Sequence, residues 1–156
     1  MQRETSTGPV TDVHSVLLRA RILSGAMIGG VVTFAVVACA LIAAGALPEG
    51  PSLRLTGTVL LGLFTAAVAL VLAAPFVGQA AARSAPGGSG EQRAREFMTE
   101  TVVTQAIREG AGLVGIAIAM LAGDVSWVLA FAFLSVVGQA WSWPREESLR
   151  KRLRLL

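Results

Sequence analysis

The stretch from residue 22 to residue 47 reads ILSGAMIGGVVTFAVVACALIAAGAL and contains no Asp, Glu, Lys, Arg or His. About 20 apolar residues in helical form cross the hydrocarbon of a bilayer, so this stretch predicts a transmembrane helix. It is too long for a signal-peptide core and no clear cleavage site follows it, so it is expected to remain in the mature protein. Working outward, Leu55 to Ala82 forms a second uncharged stretch, interrupted only by Pro75. As helix it would be roughly 42 Å long, an excess that tilt or a kink near Pro75 would absorb. Thr101 to Ala122, uncharged but for Arg108 and Glu109, and Val125 to Trp143 form a third and a fourth apolar stretch, with Gly123-Asp124 as a tight turn between them and Pro144 closing the last.

The predicted fold is therefore all-α, an integral membrane four-helix bundle of two antiparallel transmembrane hairpins. The expected divisions are a cytoplasmic N-terminal segment (1–21), hairpin 1 (22–82), a cytoplasmic loop (83–100), hairpin 2 (101–143) and a basic cytoplasmic tail (144–156). Residues 1–10 read as a tail. A short interfacial helix from Thr11 is expected to run into the first span. Pro48 to Pro51 reads as a turn and Ser84 to Gly90 as linker. Glu91 to Glu100 is expected to begin the third helix before it enters the membrane, and the tail to lie as an amphipathic surface helix.

Composition agrees. Of 156 residues, 54% are hydrophobic and 15% charged, with mean hydropathy +0.67, where a soluble domain carries about a quarter charged residues. The net charge is +3, but the basic residues flank apolar segments, which indicates orientation in a membrane rather than nucleic-acid binding. Arg3, Arg19, Arg21, Arg83, Arg93, Arg95, Arg145, Arg150, Lys151, Arg152 and Arg154 would share one side, against Arg54 on the other. The positive-inside rule then places both termini in the cytoplasm, in a cell (inner) membrane. Trp127 near one end of the fourth span and Trp141 and Trp143 near the other fit two aromatic belts. A repeat of Val77-Gly78-Gln79-Ala80 as Val137-Gly138-Gln139-Ala140 hints at internal duplication.

Chemistry is sparse. Cys39 is the single cysteine and reads as a small apolar residue. His14 reads as solvated or interfacial. No nucleophile-base arrangement, phosphate loop or metal-ligand spacing is present, so neither an enzyme nor a cofactor is expected. The ionisable residues well inside a span are Arg108 and Glu109. A charge at that depth costs on the order of 2.5 to 3.5 kcal/mol on insertion scales, so both are expected to turn inward. Gln105 lies one turn before Glu109. Gly112, Gly115 and, on the first helix, Gly29 are the expected close-packing positions, Gly115 within a small stripe of Ala111, Gly115 and Ala119.

The segment 105–119 resembles the ion-carrying helix of rotary ATPase proteolipid c subunits, with Glu109 followed six residues later by Gly115 and a small apolar run. That resemblance implies a proton or Na⁺ site at Glu109, with Gln105 as a supporting oxygen, in a homo-oligomer. The family's carboxylate stands in an even-numbered helix, whereas Glu109 is in the third, directly after an arginine. Three readings stay open: an Arg108–Glu109 pair that locks the bundle, ion handling, or binding of a substrate or lipid head group. The expected role is a structural or accessory subunit of a membrane complex. Its alternative is a proton- or cation-translocating protein using Glu109. The expected partners are the lipid bilayer and either further copies or other subunits.

Overall fold

A computed structural model of the chain describes residues 13–46, 57–83 and 89–153. The tail 1–10, the start of the interfacial helix, the Pro48 to Pro51 turn, Arg54, most of the 84–90 linker and Arg154 lie outside the described residues. The described chain is all-helical: α1 (Val13–Ala43), α2 (Gly57–Ala81), α3 (Gly90–Leu121), α4 (Val125–Trp141) and α5 (Glu146–Leu153). By length and apolar composition, α1, α2 and α3 each suffice to cross a membrane, and α4 with α5 makes a fourth candidate bent by 49°.

The helix ends follow from local chemistry. At the end of α1, Gly45 adopts φ 60°. This turns the chain so that Ala46 N–H reaches Leu41 C=O and Gly45 N–H reaches Ile42 C=O, both at 3.1 Å, which satisfies the last carbonyls. Ser89 caps α3 by accepting from Gln92 N–H at 3.3 Å. Between α3 and α4, Gly123 at φ 69° makes the tight turn, and the Asp124 carboxylate accepts from Ser126 N–H at 2.9 Å and Trp127 N–H at 3.3 Å. The interfacial segment and the first span are one continuous helix, α1, and Glu91 to Glu100 are already helical within α3.

α3 is the axis of the molecule and packs against every other helix. The contacts of Ser24 with Gln105 and of Gly30 with Glu109 make α1 run parallel to α3. Those of Ala74 with Thr104 and Val71 with Arg108, and of Gln139 with Gln105 and Phe131 with Gly115, make α2 and α4 antiparallel to it. α3 and α4 form a packed hairpin. The first hairpin is open, because α1 and α2 do not touch. They stand on opposite flanks of the α3–α4 pair, so the section is a rhombus with α1 and α2 at its far corners.

Two small-residue positions let α4 close on α3. A Cβ at Gly112 would strike the Ser135 side chain, and one at Gly115 would strike the Phe131 ring. Around Phe131 the main core gathers Val31, Ala35, Ala67, Ile116 and Val128. Phe64 meets both Phe131 and Trp127 edge-on, with ring centroids 5.4 Å and 5.8 Å apart. A second core joins Leu17, Ala20, Ala94, Phe97, Leu149 and Leu153. It docks α5 against α1 and α3, so within the described residues this part of the tail packs on protein. On its outer face Glu146–Arg150 and Glu147–Lys151 pair at one-turn spacing, and Lys151 holds the Glu147 carboxyl below the usual carboxylate range.

The polarity is inverted relative to a water-soluble bundle. Phe76 is 73% exposed, Phe133 72% and Trp141 82%, alongside Leu61, Leu72 and Val36. The interior holds Ser24, Thr104, Gln105, Arg108, Ser135 and Gln139. Apart from Arg108, the basic residues described (Arg19, Arg21, Arg83, Arg93, Arg95, Arg145, Arg150, Lys151 and Arg152) gather at the end where α1 and α3 begin and α2 and α4 finish.

Candidate functional site: a polar core beside an open carboxylate

Successive residues on a helix point about 100° apart, so Arg108 and Glu109 leave α3 in different directions. The ion pair that one of the three readings gave them is absent among the described residues. Arg108 is 4% exposed and turns toward α2 and α4. Its charge is met by backbone carbonyls. Nε donates to Val71 C=O at 3.2 Å and Nη1 to Gly138 C=O at 2.5 Å, with a further short contact from Nη1 to Ser142 Oγ.

The two carbonyls have identifiable causes. Pro75 stands four residues after Val71 and has no N–H, so the Val71 carbonyl lacks its helical donor. Gly138 lies in the last turn of α4, where carbonyls have no helical partners and the helix dipole is negative. One guanidinium therefore satisfies the break in α2 and the end of α4 together. A helical carbonyl without a donor, deep in an apolar setting, costs several kcal/mol, so both interruptions depend on such a partner.

Gln105 extends the network. Its Nε2 donates to Ser24 Oγ and to Gln139 C=O, both at 3.3 Å. Gln139 Nε2 donates to Ser135 Oγ at 3.0 Å, and Ser135 Oγ donates to Arg108 C=O at 2.9 Å. Gln105 is thus a member of the polar core and does not hydrogen-bond Glu109. Ser24, Ser135, Gln139 and Ser142 were not singled out by sequence reasoning. The signal that points to this cluster is Pro75: a proline inside a long apolar helix calls for a donor from a neighbour.

Glu109 faces outward into a hollow between α1 and α3 lined by Gly30, Phe34, Leu113, Val114 and Ala117, of about 440 Å³. A Cβ on Gly30 would stand 3.3 Å from Glu109 Oε1. Among the described residues the carboxylate has no hydrogen-bond or ion-pair partner. Val114 also lines a second apolar hollow, of about 250 Å³, between α3 and α2, with Leu63, Ala66, Leu70 and Gly110. The two hollows flank the outward face of α3, one on the α1 side and one on the α2 side.

The packing glycines divide. Gly112 and Gly115 sit in the α3–α4 contact, whereas Gly29 has nothing within 4 Å of its Cβ position and Gly30, beside it, is the residue that abuts Glu109. In the two Val-Gly-Gln-Ala repeats the glycines behave alike, Gly78 against Thr104 and Gly138 against Val71 and Arg108, but Gln139 is buried and Gln79 exposed. Among the described residues no three His, Cys, Asp or Glu side chains gather as a metal site. No protein family, curated protein or solved structure matches the chain.

Proposed function

We propose that this is an integral membrane protein of the cell (inner) membrane with four crossings and both termini cytoplasmic. In this reading it is no enzyme, but a structural or accessory subunit of a membrane assembly. The inverted polarity supports insertion, since lipid tails suit the exposed Phe76, Leu72 and Phe133 better than water does. The gathering of basic residues at one end supports the orientation.

One observation carries the accessory role: the outward face of α3, where Glu109 has an apolar hollow and no partner among the described residues. A carboxylate so placed in hydrocarbon costs on the order of 2.5 to 3.5 kcal/mol, which an assembled partner would relieve. The test is the size of the native complex in mild detergent, with its co-purifying subunits. The expected result is a complex larger than the single chain that is lost in Ala117→Leu, which fills the hollow at Glu109. A single chain migrating alone would overturn the role.

The lateral access to Glu109 favours a second reading, a proton or cation site that exchanges with its surroundings, in line with the resemblance of residues 105–119. Vesicle flux of protons or Na⁺ that disappears in Glu109→Gln would select it. Absence of flux in the unaltered protein would discard it.

A further inference from the structure

The hollow at Glu109 is a groove between α1, through Gly30 and Phe34, and α3, through Leu113, Val114 and Ala117. The small residues Gly30 and Ala117 let a neighbour's backbone approach closely. Into this apolar groove projects a single ionisable group, Glu109.

We infer that the groove receives a transmembrane helix of another protein that carries a Lys or Arg near its middle, opposite Glu109. Charge complementarity selects this occupant. A second copy of this chain offers no such cation, because Arg108 is turned inward and held by Val71 and Gly138 carbonyls. Two copies meeting through this groove would set one Glu109 near another, an arrangement that disfavours the charged form. An acyl chain would fill the hollow and leave the carboxylate unmatched. The inference rests on the accessory reading and names the partner's chemistry at the same site.

The test uses the full-length protein in lipid vesicles and synthetic helices of about 20 Leu and Ala residues. These carry Lys, Leu or Glu at the centre, and binding is read by energy transfer between donor-labelled protein and acceptor-labelled helix. The Lys helix is expected to bind about tenfold tighter than the Leu helix, the scale of an interhelical polar contact in lipid. Glu109→Gln should erase that preference, and Ala117→Leu, which fills the groove, should weaken all three helices. Equal binding of the Lys and Leu helices, or a preference that survives Glu109→Gln, would overturn the inference. So would self-association of the protein that Ala117→Leu abolishes, which would seat a second copy there. If the preference fails while the native complex still contains other subunits, only the partner's chemistry is wrong. If the preference holds while the native protein migrates alone, the seat stands and the accessory role falls.

Discussion

At the scale of residues, the adjacent Arg108 and Glu109 serve different purposes. Arg108 bonds a carbonyl freed by Pro75, so the two positions are energetically coupled. Replacing Arg108 by Leu orphans the Val71 carbonyl, at about 1–3 kcal/mol, and leaves Gly138 C=O only the Ser142 hydroxyl at 3.5 Å. Pro75→Ala restores an N–H that can bond Val71. The loss caused by Arg108→Leu is therefore expected to shrink by about 1–3 kcal/mol in the Pro75→Ala background, as a double-mutant cycle of detergent melting. Additive effects would mean that Arg108 does not substitute for the missing helical donor. Glu109→Gln, by contrast, is expected to leave stability within about 0.5 kcal/mol, as at positions without a packing or pairing role. The effects of Glu109→Leu and Arg108→Leu should then add, without the coupling energy of an ion pair. Sequence reasoning reached the pair because charges deep in apolar spans stand out. Of its three open readings, the Arg108–Glu109 pair is the one that helix geometry opposes, since adjacent residues leave a helix about 100° apart. The true acceptors are backbone atoms, which no side-chain pattern advertises.

At the scale of elements, the helices were legible because apolar runs and turn residues are local signals. The bounds of α3 and α4 and the Gly123-Asp124 turn follow from them. Which helices touch was not legible, since lateral order depends on close approach between segments distant in the chain. Hairpin connectivity suggested that α1 and α2 pair, yet α3 and α4 stand between them. Glycine composition alone likewise could not tell Gly115 from Gly29, which differ only in what lies opposite. Gly115→Leu would drive a side chain into the Phe131 ring. Overpacking of this kind typically costs about 1–3 kcal/mol and should lower the melting temperature. Gly29→Ala meets open space and is expected to change stability by less than about 0.5 kcal/mol. Equal losses at both positions would show that helix propensity rather than the α3–α4 contact sets the cost.

At the scale of the whole molecule, charge sets an expected orientation and the fold keeps the basic segments together. Lys/Arg counting along the sequence assigns one side to three basic segments. The folded chain brings their described members to one end of the bundle, where Arg21 Nε donates to Pro144 C=O at 3.3 Å and α5 docks on α1. Asp124 and the α3–α4 turn mark the opposite end. A labelling experiment can therefore read the orientation at two points. Cys39 is the single native thiol and lines an apolar hollow with Val36, Phe133 and Val136, so Cys39→Ser provides a background at small packing cost. In that background Ser126→Cys places a thiol beside the α3–α4 turn, and Ser148→Cys places one on α5. Both positions are exposed. With a membrane-impermeant maleimide on intact cells, Ser126→Cys is expected to react, and Ser148→Cys to react only after permeabilisation. The reverse pattern would invert the molecule and remove the positive-inside assignment. Labelling of both thiols in intact cells would put the two ends on the same side. An odd number of crossings would then follow from α4 failing to span, which is the element that needs α5 to qualify as a span at all.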